Sequence, residues 1–89
     1  MKIILELFGA SRDFSNKDYL QFEIKEVIEI KDLKKVIIGY LDKNFNGNKN
    51  FKKIVESSAF CSEDNNIIND SYKISKDQKI GIIPPIGGG

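Results

Sequence analysis

The sequence has no histidine and a single cysteine, Cys61. One cysteine cannot close an intramolecular disulfide. Without histidine there is no mixed Cys/His metal site, and neither a Ser–His nor a Cys–His nucleophilic pair can form. Long apolar runs are also missing. The opening Met1-Lys2-Ile3-Ile4-Leu5-Glu6 becomes charged too soon for a secretory signal. No stretch approaches the roughly 18 apolar residues of a membrane span. A cytoplasmic protein that engages no membrane is therefore expected, and the glycosylation-like triplet Asn69-Asp70-Ser71 is read as chance. Charge of one sign is not in excess either, with 14 Lys and Arg against 13 Asp and Glu. Nucleic-acid binders usually carry a basic stripe. None is visible, so no nucleic-acid partner is expected, and pairs such as Lys34-Lys35 and Lys52-Lys53 read as solvated faces.

What is present fits one small soluble domain: 89 residues, 40% hydrophobic and 30% charged. A chain of this length buries roughly 60–65% of the surface it exposes when unfolded, which builds one core and leaves little room for a deep catalytic pocket. Ile3 to Phe8 is almost wholly apolar and reads as a central strand covered on both faces. Gly9-Ala10-Ser11 breaks it. Tyr19 to Lys25 alternates, with Leu20, Phe22 and Ile24 on one side, and reads as a half-buried strand pairing antiparallel with the first. From Lys31 to Phe45 the period changes. Leu33, Val36, Ile37, Tyr40 and Leu41 make one helical stripe, expected to be core. Glu29 and Ile30 offer that helix no good N-cap. Asn46-Gly47-Asn48 ends it through left-handed conformations.

Phe51 to Val55 suggests a single helical turn, Ser57 to Ser62 a strand, Glu63 to Asn66 a turn, and Ile67-Ile68 a very short strand. Lys79 to Ile83 is the last strand, stopped by Pro84-Pro85 because proline lacks a ladder N–H. The expected architecture is an α+β roll: a mixed sheet of four to five strands packed on one main helix, with the first and last strands side by side in the middle. The domain is expected over residues 1–83, with 84–89 as a flexible tail.

The tail Pro84-Pro85-Ile86-Gly87-Gly88-Gly89 carries the chemistry. With glycine near 7% of average usage, three in a row at an end arise by chance on the order of 0.03% of the time. The prolines hold the chain extended as it leaves the sheet. Ile86 can anchor it on a partner. Gly87, Gly88 and Gly89 have no side chains and can thread a narrow channel. The carboxylate of Gly89 is then the reactive group. A carboxylate is a poor electrophile and needs activation, commonly as an acyl-adenylate from ATP, yet the chain has no phosphate-cradling glycine loop with a lysine. A partner must supply that step.

These residues resemble the sulfur-carrier (small) subunit of molybdopterin synthase, within the ubiquitin-like β-grasp group. The opening Leu7-Phe8-Gly9-Ala10-Ser11-Arg12-Asp13-Phe14 is similar to that family's opening pattern. The ending Ile80-Gly81-Ile82-Ile83-Pro84-Pro85-Ile86-Gly87-Gly88-Gly89 is the specific part. Two turns depart from it: Ala59 to Glu63, and Lys76-Asp77-Gln78. The resemblance implies a sulfur carrier that is no enzyme on its own and binds no cofactor or metal itself. A ubiquitin-activating-enzyme-like adenylyltransferase would use ATP to activate Gly89, and a sulfur donor would convert it to a thiocarboxylate. The tail would then enter the large catalytic subunit of a heterotetrameric molybdopterin synthase and give its sulfur to a pterin precursor of the molybdenum cofactor. Pro84, Pro85, Ile86, Gly87, Gly88, Phe8 and Ile82 are the expected partner-binding residues, with Phe60 a candidate for the same apolar patch. Three alternatives stay open: a carrier with another acceptor, such as thiamine thiazole, tRNA or a protein lysine; a ubiquitin-like binding module with an inert tail; and, for Cys61, persulfide carriage in place of a buried structural role.

Overall fold

The computed structural model describes residues 1–85. Its elements run in the order β1 (Lys2–Leu7), a 3-10 turn (Gly9–Phe14), β2 (Tyr19–Glu23), β3 (Ile28–Glu29), α1 (Ile30–Asn44), α2 (Lys49–Ser57), β4 (Ala59–Cys61), β5 (Ile67–Ile68), β6 (Lys73–Ile74) and β7 (Gln78–Ile83). Five strands form one mixed sheet in the order β2-β1-β7-β4-β5, and β3 and β6 make a separate two-stranded ladder. β1 and β7 pair in parallel at the centre, with Leu5 opposite Ile80. β1 pairs antiparallel with β2, and β7 antiparallel with β4. The expected α+β roll, with its first and last strands adjacent, is the observed one.

Side-chain alternation sets the layers. Ile3, Leu5 and Leu7 from β1, Ile80 and Ile82 from β7, Leu20 and Phe22 from β2, and Phe60 from β4 are buried against Ile30, Leu33, Ile37 and Leu41 of α1. Each such aliphatic side chain contributes roughly 1.5–3 kcal/mol on leaving water. The helical stripe is as expected at Leu33, Ile37 and Leu41. Val36 is half-buried, and Tyr40 sits at the margin, edge-on to Phe22 at 5.7 Å between ring centroids. β1 is not covered on both faces, as its apolar run suggested. Ile4 and Glu6 alternate out of the core onto an open face, where Glu6 pairs loosely with Lys79 at 4.0 Å.

The missing N-cap of α1 is real and has a substitute. Glu29 makes no capping bond. The first helical N–H groups are instead bound by carbonyls from a distant loop: Ile30 N donates to Tyr72 O and Lys31 N to Asp70 O, each at 3.0 Å. The helix ends as its glycine predicted, with Asn46 and Gly47 at φ 56° and 71°.

The single turn expected at Phe51 to Val55 is a nine-residue helix, α2. Asn48 explains the length. Its side-chain oxygen accepts from the N–H groups of Asn50 (2.9 Å) and Phe51 (3.3 Å), an N-cap that nucleates a second helix where a terminator was expected. Phe51, Ile54 and Val55 face inward at helical spacing, with Phe51 tilted on Phe14 at 5.0 Å between centroids. Asn48→Ala should cost about 1 kcal/mol, read as a lower urea midpoint with an unchanged slope.

Candidate functional site

The site is built where β7 leaves the sheet. The strand runs to Ile83, and the chain turns out through Pro84, which is buried, and Pro85, which is exposed. Pro84 Cδ lies 3.8 Å from where a Cβ on Gly9 would stand, so the 3-10 turn seats the first proline. Gly9 has φ +55°, a conformation that costs other residues about 1 kcal/mol or more. The turn is closed by Ser11, whose buried hydroxyl donates to Phe8 O (2.6 Å) and accepts from Phe8 N (3.0 Å). That pair fixes the Phe8 backbone, and alternation along β1 directs its side chain to the open sheet face. Ile86, Gly87, Gly88 and Gly89 lie outside the described residues.

On the open face, immediately before Pro84, Phe8, Cys61, Gly81 and Ile83 surround a shallow hollow of about 240 Å³ rimmed by Glu6, Lys79 and Glu63. Phe8 and Ile83 are 42% and 37% exposed, enough to make an apolar patch. The hollow exists because residue 81 is glycine. A Cβ there would stand 2.7 Å from Cys61 Sγ and 3.2 Å from Phe8 Cε2. Glu63 braces the rim by accepting the Lys79 backbone N–H at 2.7 Å. Gly81→Val should displace Phe8 and cost about 1–3 kcal/mol, read by urea unfolding together with faster reaction of Cys61 with a thiol reagent.

The expected partner-binding set is thus divided. Phe8 is exposed at the hollow, and Pro84 and Pro85 mark the exit. Ile82 is a correction: it is fully buried, on the same face of β7 as Ile80, and belongs to the core. Phe60 is likewise buried, at 2% exposure, with the Lys34 ammonium 5.5 Å from its ring centre. The outward residues of β7 are Lys79, Gly81 and Ile83, and strand alternation alone would have selected Ile83 over Ile82. Cys61 is buried in the wall of the hollow. Among the described residues no three His, Cys, Asp or Glu side chains converge to hold a metal ion. No helix among them is long and apolar enough to cross a membrane.

A second groove, of about 340 Å³, flanks the exit on the helical side, between Ala10 of the 3-10 turn, Asn50, Lys53, Ile54 and Ser57 of α2, and the two prolines.

A mixed five-stranded sheet wrapped on one principal helix, with parallel terminal strands at its centre, is the ubiquitin-like β-grasp fold. Two solved structures share this fold over nearly the whole chain. One is a putative molybdopterin converting factor, subunit 1, from Pyrococcus furiosus: TM-score 0.69, 17% identity, over 96% of this chain and 98% of that one. SAMP1 from Haloferax volcanii superposes equally well, at TM-score 0.69 and 11% identity over the whole of both chains. No family model matches the sequence, and no curated protein matches it. At these identities the likeness is one of fold.

Proposed function

We propose that the chain is a sulfur carrier of molybdenum-cofactor biosynthesis, a non-catalytic subunit whose Gly89 carboxylate is the cargo site. The observation that supports this best is the juxtaposition at the end of β7. A core strand runs into Pro84-Pro85, and an exposed apolar hollow lies one residue before them. Such a face can hold a partner while the glycines beyond the prolines enter its active site. The fold shared with a putative molybdopterin converting factor subunit supports the same reading.

The chemistry is divided between proteins. A partner adenylyltransferase joins the Gly89 carboxylate to the α-phosphate of ATP and releases pyrophosphate. A donor delivering sulfur at the sulfide level attacks the acyl carbon and gives up its proton, AMP departs with the C–O bond electrons, and a thiocarboxylate remains. In the large catalytic subunit of the synthase that sulfur passes to the pterin precursor. This chain supplies the domain that is grasped, the rigid proline exit and the unencumbered glycines. The setting is the cytoplasm, where the enzyme partners and ATP are present.

The test is an intact mass of the chain after co-expression with its host's adenylating enzyme and a sulfur source. A gain equal to the difference between sulfur and oxygen, on a chain ending at Gly89, is expected. An unchanged mass beside an adenylating enzyme active on another carrier overturns the proposal in favour of a binding module.

A further inference from the structure

The charge of this chain is balanced overall but not locally. From Lys43 to Lys53 there are four lysines and no acid, while the remaining residues hold ten cations and thirteen acids. Among the described residues, Lys43, Lys49, Lys52 and Lys53 are all exposed and make no ion pair, as is also true of six cations scattered elsewhere, but only these four are gathered in a stretch without an acid. Three of them lie in the first five residues of α2, which has no acidic residue in its first turn. The helix dipole disfavours cations at that end. Folding alone gives no reason for the arrangement, and departures of this kind mark functional surfaces.

One of these lysines, Lys53, lines the groove beside the tail exit, and Lys49 and Lys52 stand on the same short helix. Ala10, Ile54, Pro84 and Pro85 give the groove apolar lining, and Lys53 and Asn50 add a cation and an amide. We propose that this groove and the lysine cluster above it dock an acidic segment, anchored by an apolar side chain, of the protein that receives the tail; this rests on the carrier reading. Four cations on one short helical hairpin complement a run of carboxylates. They are too few and too local to follow a nucleic-acid backbone. The surface lies on the helical side of Pro84-Pro85, opposite the apolar hollow, so a partner using both would grip the exit from two sides.

The variant is Lys49→Glu, Lys52→Glu, Lys53→Glu, which places acids where the helix dipole favours them and therefore keeps α2 folded. Its control reverses Lys25, Lys73 and Lys76, equal in charge change but remote. Amide shifts are followed while a decapeptide alternating Glu and Leu is added. Saturable shifts confined to Ala10 and Lys49–Ser57 are expected, kept in the control and weakened about tenfold or more in the variant. Shifts spread over every exposed lysine, no shifts, or tighter binding of a short DNA duplex at the same residues overturn the proposal. In a second arm the host's adenylating enzyme should show a KM about tenfold higher for the variant than for the control, with kcat unchanged and a weaker salt dependence. Equal KM values with normal sulfur loading overturn the docking surface and leave the carrier standing. Absence of loading in every chain overturns the carrier, and the peptide titration then decides the groove alone.

Discussion

Extending the chain by one alanine after Gly89, or deleting Gly89, is expected to abolish sulfur loading while leaving the thermal midpoint unchanged. The extension turns the Gly89 carboxylate into a peptide amide and moves the new carboxylate about 3.6 Å further along. Displacements near 1 Å at a reacting centre cost about 10²-fold, so loss beyond detection is the expected reading in the intact-mass assay. Stability should be untouched because, among the described residues, the last core residue is Ile82 and the last buried one Pro84. A carrier separates these two readouts. A binding module with an inert tail would show no loading in any chain and would keep its partner binding when the tail is changed, and loading of the extended chain would refute the assignment of Gly89.

The second large effect contrasts Ile82→Ala with Phe8→Ala. Ile82 is fully buried against the helix layer, and truncation there should cost about 2–5 kcal/mol. A domain of this size has about 5–15 kcal/mol in hand and loses roughly 4–8 °C per kcal/mol, so the melting temperature should fall by about 8–40 °C. Phe8 is 42% exposed on the open face, and its truncation should cost about 1 kcal/mol or less. The order reverses for function. Phe8→Ala should weaken binding to the adenylating enzyme, while Ile82→Ala, assayed well below its melting point, should bind normally. Differential scanning calorimetry and a titration of each variant measure the two axes. Weakened binding confined to Ile82→Ala would restore Ile82 to the docking surface.

Ile82 also shows how legibility in the sequence had a local limit. The strand at Lys79 to Ile83, its stop at Pro84 and the pairing of the first and last strands were readable, because apolar run and proline act through the backbone. The face was also readable in principle. Ile80 and Ile82 share a parity, and Gly81 with Ile83 the other, but an isoleucine-rich strand hides its parity when both faces look apolar. Ile4 had the same effect on β1. The two-residue strands β3 and β6 had no periodicity to show, since each exists only because α1 and the loop at Asp70 to Tyr72 bring them together. Asn48 was read as the end of one helix when it is also the start of the next, a double use that spacing alone does not reveal. The hollow at Gly81 is a matter of contacts across three strands, and no pattern along the chain records it. The tail chemistry expected from Ile86 to Gly89 falls outside the described residues and is decided by the experiments above.

The carbonyl clamp on α1 bears on how the molecule comes into being. The principal helix borrows its first hydrogen bonds from residues some forty positions downstream, and β1 must wait for β7, more than seventy positions away, to gain its second neighbour. No early segment can therefore mature by itself. A nascent chain halted before Gln78 holds an unfinished sheet with an exposed centre, a state attractive to chaperones and proteases. Domains dominated by such distant pairings fold slowly for their size and in a single cooperative step. The exit for the tail is also completed last, because the same strand that closes the sheet presents Pro84 and Pro85. Completion of the sheet and of the Pro84-Pro85 exit are then one kinetic event, and an incompletely folded chain has no finished exit to present.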